Sequence, residues 1–372
     1  VSLPTAYLDQ FSEPEGYFEF ASIGPPSRRV VEALGEFNQR VASPRGHPRH
    51  VLGEVMQGAS ATVASFLSCR PEQVGLVGST GIGLFHVAFG LRGGNVVVPA
   101  GEFPANLYPW WQARDAGLID EVRLLEVHDG RVTPGRMSTL IDAGTVAVSV
   151  SQVDYLTGFQ VDLEGLRAVC GEALLVVDAI QAAGAVPVSL EPADVVVAGS
   201  HKWLRGGFGI AFLALSERAL ERLCPTLSGW TAVESFLDFS LPNPRPWASG
   251  AARFQLSAPP LAGAPGLIAA LELAALAGME RISAAVRERS AAVAEVLGAA
   301  GAQVLTPWRS EVERAGIVGF RMPGEDPAET HQRLVAEGLS VTLRGDRVRV
   351  APHATSSMAA IERLGEVLPN GT

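Results

Sequence analysis

Two stretches near the middle of the chain, VVDAIQAAG (176–184) and ADVVVAGSHKWLRGGFG (193–209), hold the residues best suited to chemistry. Asp178 closes one apolar run, and Lys202 stands just past the end of the next. An amine placed this way can form an imine with a carbonyl, and a carboxylate can keep a heteroaromatic ring nitrogen protonated so that the ring withdraws electrons from a carbanion. That pairing is what a pyridoxal 5′-phosphate (PLP) cofactor requires. Such a lysine must also be desolvated or crowded by charge to be neutral near pH 7. Taken singly, Asp178 reads more readily as a turn-forming acid at a strand end and Lys202 as a surface lysine before a glycine turn. It is the pair, in order and at strand ends, that points to a cofactor.

The elements that must position this pair are short β-branched apolar runs alternating with amphipathic segments. VGLVGS, NVVVPAG, TVAVSVSQV, ALLVVDA, DVVVAGS and GIAFLALS lie between about Val74 and Ser216. They are hydrophobic almost without alternation, as strands buried on both faces are. With helical segments such as FPANLYPWWQARDAGL and LEGLRAVCGE between them, they predict an α/β fold with a mostly parallel sheet covered on both sides. Ligands in such sheets bind beyond the carboxyl ends of the strands. Upstream, VGSTGIGLFHVAFG reads as strand, turn and helix start. Ser79, Thr80 and Gly81 could cradle an anion there through backbone N–H groups and hydroxyls. A plain Ser/Thr helix cap is the competing reading.

The run D-A-x-Q-x-x-G followed by S-H-K-W-L-x-G-x-x-G resembles the class V aminotransferases, fold-type I PLP enzymes that include cysteine desulfurases, kynureninases and isopenicillin N epimerase. The resemblance covers nearly the whole chain. It implies that Lys202 carries PLP as an imine, with Asp178 on the ring nitrogen, Gln181 on the ring oxygen, His201 on the phosphate and Ser200 among the cofactor-binding residues. EFPANLYPW is similar to the E-H-x-A-N-x-x-P-W run of the desulfurase branch. Phe103 stands where that branch has a histidine stacked on the cofactor, and an aromatic face there can stack but cannot shuttle a proton. Tyr155 occupies a place where desulfurases carry asparagine. RVRVAPHATSS resembles the family's terminal arginine region, which implies that Arg349 binds the substrate α-carboxylate, with Arg347 as the alternative two residues away. RFQLSAP resembles a turn that reaches across a dimer, which implies a homodimer with composite sites in which Ser257 donates to the neighbour's cofactor phosphate. His47, with His50 in GHPRH, is assigned to a loop at the substrate mouth. Pro48 spoils a helical metal-ligand spacing, and no carboxylate or cysteine is near.

At 372 residues the chain suggests two domains. The N-terminal segment 1–24 is expected to pack with the small domain, 25–245 to form the large PLP-binding domain, and 246–372 to supply an interdomain helix and a small α/β domain. A long Ala/Leu/Glu/Arg-rich stretch from about Ala264 to Ala300 has no proline after Pro265 and reads as helix. The strands IVGFRM and RVRVAP flank a helix around DPAETHQRLVAEG. The content of 47% hydrophobic and 18% charged residues describes a folded globule. A net charge of −10 with no basic run argues against a nucleic-acid partner. Cys69, Cys170 and Cys224 form no CxxC pair, and neither an export signal nor a membrane span is legible, so a cytoplasmic enzyme acting on a small molecule is expected.

These features together predict an aminotransferase-like PLP enzyme acting on an amino acid or small amine, with Lys202 moving the proton. The alternatives are a lyase or hydrolase of the C–S lyase or kynureninase type, an epimerase, and a non-catalytic protein of the same fold. The loop GLSVTLRGDRVRV lacks the mobile cysteine of desulfurases, which argues against persulfide chemistry on it.

Overall fold

In the computed structural model, which describes residues 2–45 and 48–369, the apolar runs assemble into one seven-stranded sheet. Its strands are β1 (Val74–Val77), β2 (Asn95–Pro99), β3 (Glu121–Leu125), β4 (Thr145–Ser151), β5 (Leu174–Asp178), β6 (Val195–Gly199) and β7 (Ala211–Leu215), in the order β1-β7-β6-β5-β4-β2-β3. The pairings from β3 through β6 are parallel, while β7 runs antiparallel to both β6 and β1. Because β1 is antiparallel to an antiparallel strand, it points the same way as β6. The carboxyl ends of β1, β2, β4, β5 and β6 therefore share one edge.

Burial explains why this sheet was legible. Leu175, Val177, Val196 and Phe212 pack into one hydrophobic cluster, while Leu174, Val176, Val195 and Leu213 pack into another on the opposite face. Helices thus cover both faces, and nearly every strand position is apolar. β3 is the exception. It lies at the sheet edge with mostly exposed or half-buried residues, EVRLL, so it carries no continuous apolar run.

The smaller sheet contains β8 (Gln303–Val304), β9 (Val318–Arg321), β10 (Thr342–Arg344) and β11 (Arg347–Val350), all antiparallel, in the order β10-β11-β9-β8. Phe18 is fully buried in the core of this unit with Phe320, Val348 and Leu364. Tyr17 and Glu19 bridge to Ser340 and Ala351. The stretch predicted as one long helix is two, Ala264–Ala277 and Met279–Ala299. Gly278 separates them at φ +83°, a left-handed conformation that ends a helix. Among the described residues no helix is long and apolar enough to cross a membrane.

Candidate active site

The shared edge gathers the predicted chemical residues. Asp178 ends β5 and is buried, its Oδ1 accepting the Ile180 N–H at 2.9 Å. Its Oδ2 is also buried and has no hydrogen-bond partner. Burial pushes this carboxyl up to about 6, against the pull of the Ile180 amide and the Lys202 charge. Lys202 follows β6, half-buried, with Nζ 5.5 Å from the centre of the Phe103 ring. Burial lowers its amine to about 8; Asp178 opposes that shift, and the Arg349 and Arg344 charges add to it. Lys202 is also the only lysine in the chain, the other 28 of its 29 Lys and Arg residues being arginines.

The turn that carries Lys202 is held from several sides. The Gly24 N–H donates to the His201 carbonyl at 2.8 Å, and a Cβ at Gly24 would collide with the Lys202 carbonyl oxygen, so only glycine lets the N-terminal segment approach. Arg205, three residues beyond Lys202, is fully buried and makes a two-pronged ion pair with Glu13 at 3.0 and 2.5 Å. The Thr355 hydroxyl joins that pair by donating to Glu13 at 2.6 Å and lies 3.2 Å from His353 Nδ1. His353 is fully buried and stacked on Phe20, and burial holds it well below the usual histidine range. This network ties the N-terminal segment and the chain after β11 to the lysine turn. Motif reading passed over it: Arg205 lies inside the quoted SHKWLRGGFG, but nothing in the sequence links it to Glu13.

Around the anion site, the side chain of Ser79 caps the helix Thr80–Gly90 by accepting the Ile82 N–H. Thr80 Oγ1 accepts the Gly199 N–H at 2.9 Å, and a Cβ added at Gly199 would lie 3.3 Å from both Thr80 Oγ1 and His201 Nδ1. Those two polar atoms lie beside the helix start near Gly81, with the Ile180 methyl at 3.1 Å on the same spot, so the groups an anion cradle needs are close together. His201 stacks on Phe208 at 4.9 Å between ring centres. Ser200 is fully buried and spends its hydroxyl proton on the Gly207 carbonyl at 2.7 Å, so it braces the turn. Gln181 is also committed within the protein: its Nε2 donates to Ala21 O at 3.0 Å and its Oε1 accepts the Trp203 indole N–H at 2.7 Å. One amide hydrogen remains.

Phe103 and Tyr155 meet edge to face at 5.2 Å and wall the open side of Lys202. Arg349 is buried, donating to Tyr155 O and Ser22 Oγ, each at 2.8 Å. Its Nε has no partner, and no described carboxylate ion-pairs with it. A buried cation left this way is costly unless an anion arrives. Arg347, by contrast, pairs with Asp346 at 2.9 Å. Glu102, next to Phe103, is a buried acid the sequence reading did not single out. It accepts the Ser151 N–H at 2.6 Å and the Ser151 hydroxyl, and burial raises it to about 8. Ser151 is the register partner of Asp178. Ser257 is exposed on the loop before the helix Ala264–Ala277, where its carbonyl accepts the Thr231 hydroxyl. His47 lies outside the described residues.

The family Aminotransferase class-V matches residues 17–365. The chain belongs to the class V aminotransferases. PLP is that family's cofactor, and the residues here fit it. The orphaned Asp178 oxygen could accept a hydrogen bond from a protonated ring nitrogen, Lys202 offers a depressed amine, Phe103 offers a face, and Thr80 and His201 would line the phosphate site. A probable cysteine desulfurase of Methanothermobacter thermautotrophicus is 26% identical, with 95% of this chain and 93% of that protein covered. An apo cysteine desulfurase of Thermococcus onnurineus NA1 superposes with a TM-score of 0.88 at 22% identity, covering 99% of this class V chain and 98% of its own. The cystine C–S lyase C-DES, in complex with its product cysteine persulfide, superposes with a TM-score of 0.87 at 20% identity, covering 96% and 98%.

Proposed function

We propose that this class V enzyme is a PLP-dependent lyase that removes a leaving group, sulfur-borne by preference, from Cβ of an α-amino acid. One observation carries the reading: the amine of Lys202 and the unpartnered Asp178 oxygen stand at the carboxyl edge of the large sheet, and the anion-seeking guanidinium of Arg349, on β11 of the small sheet, is near enough for its charge to act on Lys202. When bound, PLP supplies the electron sink that lets a Cα proton leave. Arg349 holds the substrate carboxylate through its fork of N–H donors, which fixes Cα relative to Lys202. Lys202, with an amine near 8, accepts a proton at neutral pH and returns it. Asp178, with its unpartnered Oδ2, would support positive charge on the ring nitrogen of the bound cofactor. The aromatic pair Phe103 and Tyr155 sets an apolar wall beside Lys202 and offers no titrating group near pH 7.

Two things favour the lyase over transamination. The similar proteins named above include a desulfurase and a C–S lyase, both of which cleave bonds to sulfur. The loop 338–350 of this chain lacks a cysteine to receive that sulfur, so sulfur would leave as a free thiol or persulfide. The overall balance is amino acid plus water giving pyruvate, ammonia and the released thiol. Incubating holoenzyme with S-substituted cysteines and no 2-oxo acid should yield pyruvate and ammonia in equal amounts. If amino groups appear only on an added 2-oxo acid, the enzyme is a transaminase and the lyase reading fails. The reading includes a homodimer in which the exposed Ser257 completes the partner's phosphate site.

A further inference from the structure

β10 and β11 form a hairpin whose register puts Thr342 opposite Arg349 and Arg344 opposite Arg347. Directly opposed residues of an antiparallel pair share a face, and so do residues two apart on a strand. Arg344, Arg347 and Arg349 therefore share one face, the one from which Arg349 reaches Tyr155 and Ser22. Three like charges on one face repel unless each is matched.

The three are matched differently. Arg347 is neutralised by Asp346 and lies over Gly319. Arg349 is buried and aimed at the substrate carboxylate in the reading above. Arg344 is exposed, and no described residue pairs with it. Its charge nevertheless reaches the site. After burial it is the largest cause lowering Arg349, and it also acts on Lys202 and Tyr155. The Tyr155 phenol, with no described partner of its own, stands on the same side.

We propose that the substrate is an α-amino acid bearing a second anionic group at the far end of its side chain, and that Arg344 receives that group. This rests on the lyase reading for the placement of the α-carboxylate at Arg349. With that carboxylate fixed, the side chain extends past Phe103 and Tyr155 toward the hairpin tip, where Arg344 is the unmatched cation. With the α-carboxylate on Arg349, a neutral side chain would leave Arg344 alone unmatched. A second carboxylate answers Arg344, so the cleft selects by charge as well as by fit. An arginine at the mouth of a cleft contributes on the order of five- to tenfold in affinity for a matched anion.

The test compares S-carboxymethylcysteine with its near-isosteric amide, S-carbamoylmethylcysteine, on holoenzyme, by calorimetric Kd and by pyruvate release. The expected result is a preference of about tenfold for the carboxylate, weakening as salt rises. Arg344→Gln should bring the carboxylate's affinity down to that of the amide, Arg344→Lys should keep part of the preference, and Arg347→Gln should keep it whole. Equal affinity in the unaltered enzyme, a preference that survives Arg344→Gln, or no binding of either compound overturns the proposal. Binding with the expected preference but without pyruvate release sinks the lyase reading and leaves the assignment of Arg344 standing.

Discussion

Because Lys202 is the only lysine, its amine can be watched by itself. Reductive methylation of the apoprotein with ¹³C-formaldehyde labels one side chain besides the chain's terminal amine, and NMR then follows that label against pH. Burial should place the midpoint near 8 rather than at the ordinary 10.5. At pH 7 about 10% of the amine is then neutral, against about 0.03% for an unperturbed lysine, a gain of roughly 300-fold in the reactive form. Asp178 titrates near 6, so it is ionised while Lys202 titrates and favours the ammonium. Removing that charge has a defined sign: Asp178→Asn should move the Lys202 midpoint further down. A midpoint near 10 in the unaltered protein would show that Lys202 is solvated and unfit as the nucleophile. An upward move in Asp178→Asn would show that the two groups do not face each other.

Arg349→Gln should raise KM by an amount worth on the order of 2 kcal/mol, because a charged, desolvated hydrogen-bonding group is lost, while Arg347→Gln should change KM little; steady-state kinetics with a Cβ–S substrate decides, and the reverse order would move the carboxylate site to Arg347. Glu13→Gln strands the buried Arg205 charge and should cost about 3–5 kcal/mol of stability in urea unfolding, whereas a loss under 1 kcal/mol would mean that water reaches the pair. Mixing Lys202→Ala chains with Ser257→Ala chains should restore activity above the average of the parents if Ser257 serves the partner's site. Without such recovery, given an impaired Ser257→Ala parent, Ser257 acts within its own chain.

How far the sequence could carry these arguments depends on whether a residue's partner is near it in the chain. Asp178, Lys202 and the helix start at Thr80 were legible because each follows a strand whose apolar run is continuous, and the parallel order puts strand ends on one edge. The edge strand β3 escaped because half of it faces water, and the split at Gly278 escaped because a single glycine in an alanine-rich stretch does not announce a positive φ. Glu13, Arg205, Thr355 and His353 come from opposite ends of the chain and the lysine turn, so no local pattern could join them. Arginine shows the same limit most clearly. Arg344, Arg347 and Arg349 are alike as letters, two to five positions apart, and the resemblance to a family motif ranked only the last two. What separates them is burial and partner: one is buried with a backbone carbonyl and a serine hydroxyl as acceptors, one is paired to a neighbouring aspartate, and one is exposed without a described match. In the proposed reading, specificity for charge in this cleft is therefore a property of which arginine remains unpaired: the hairpin register gathers the three on one face, and Asp346 beside Arg347 and the burial of Arg349 leave Arg344 as the one without a described partner.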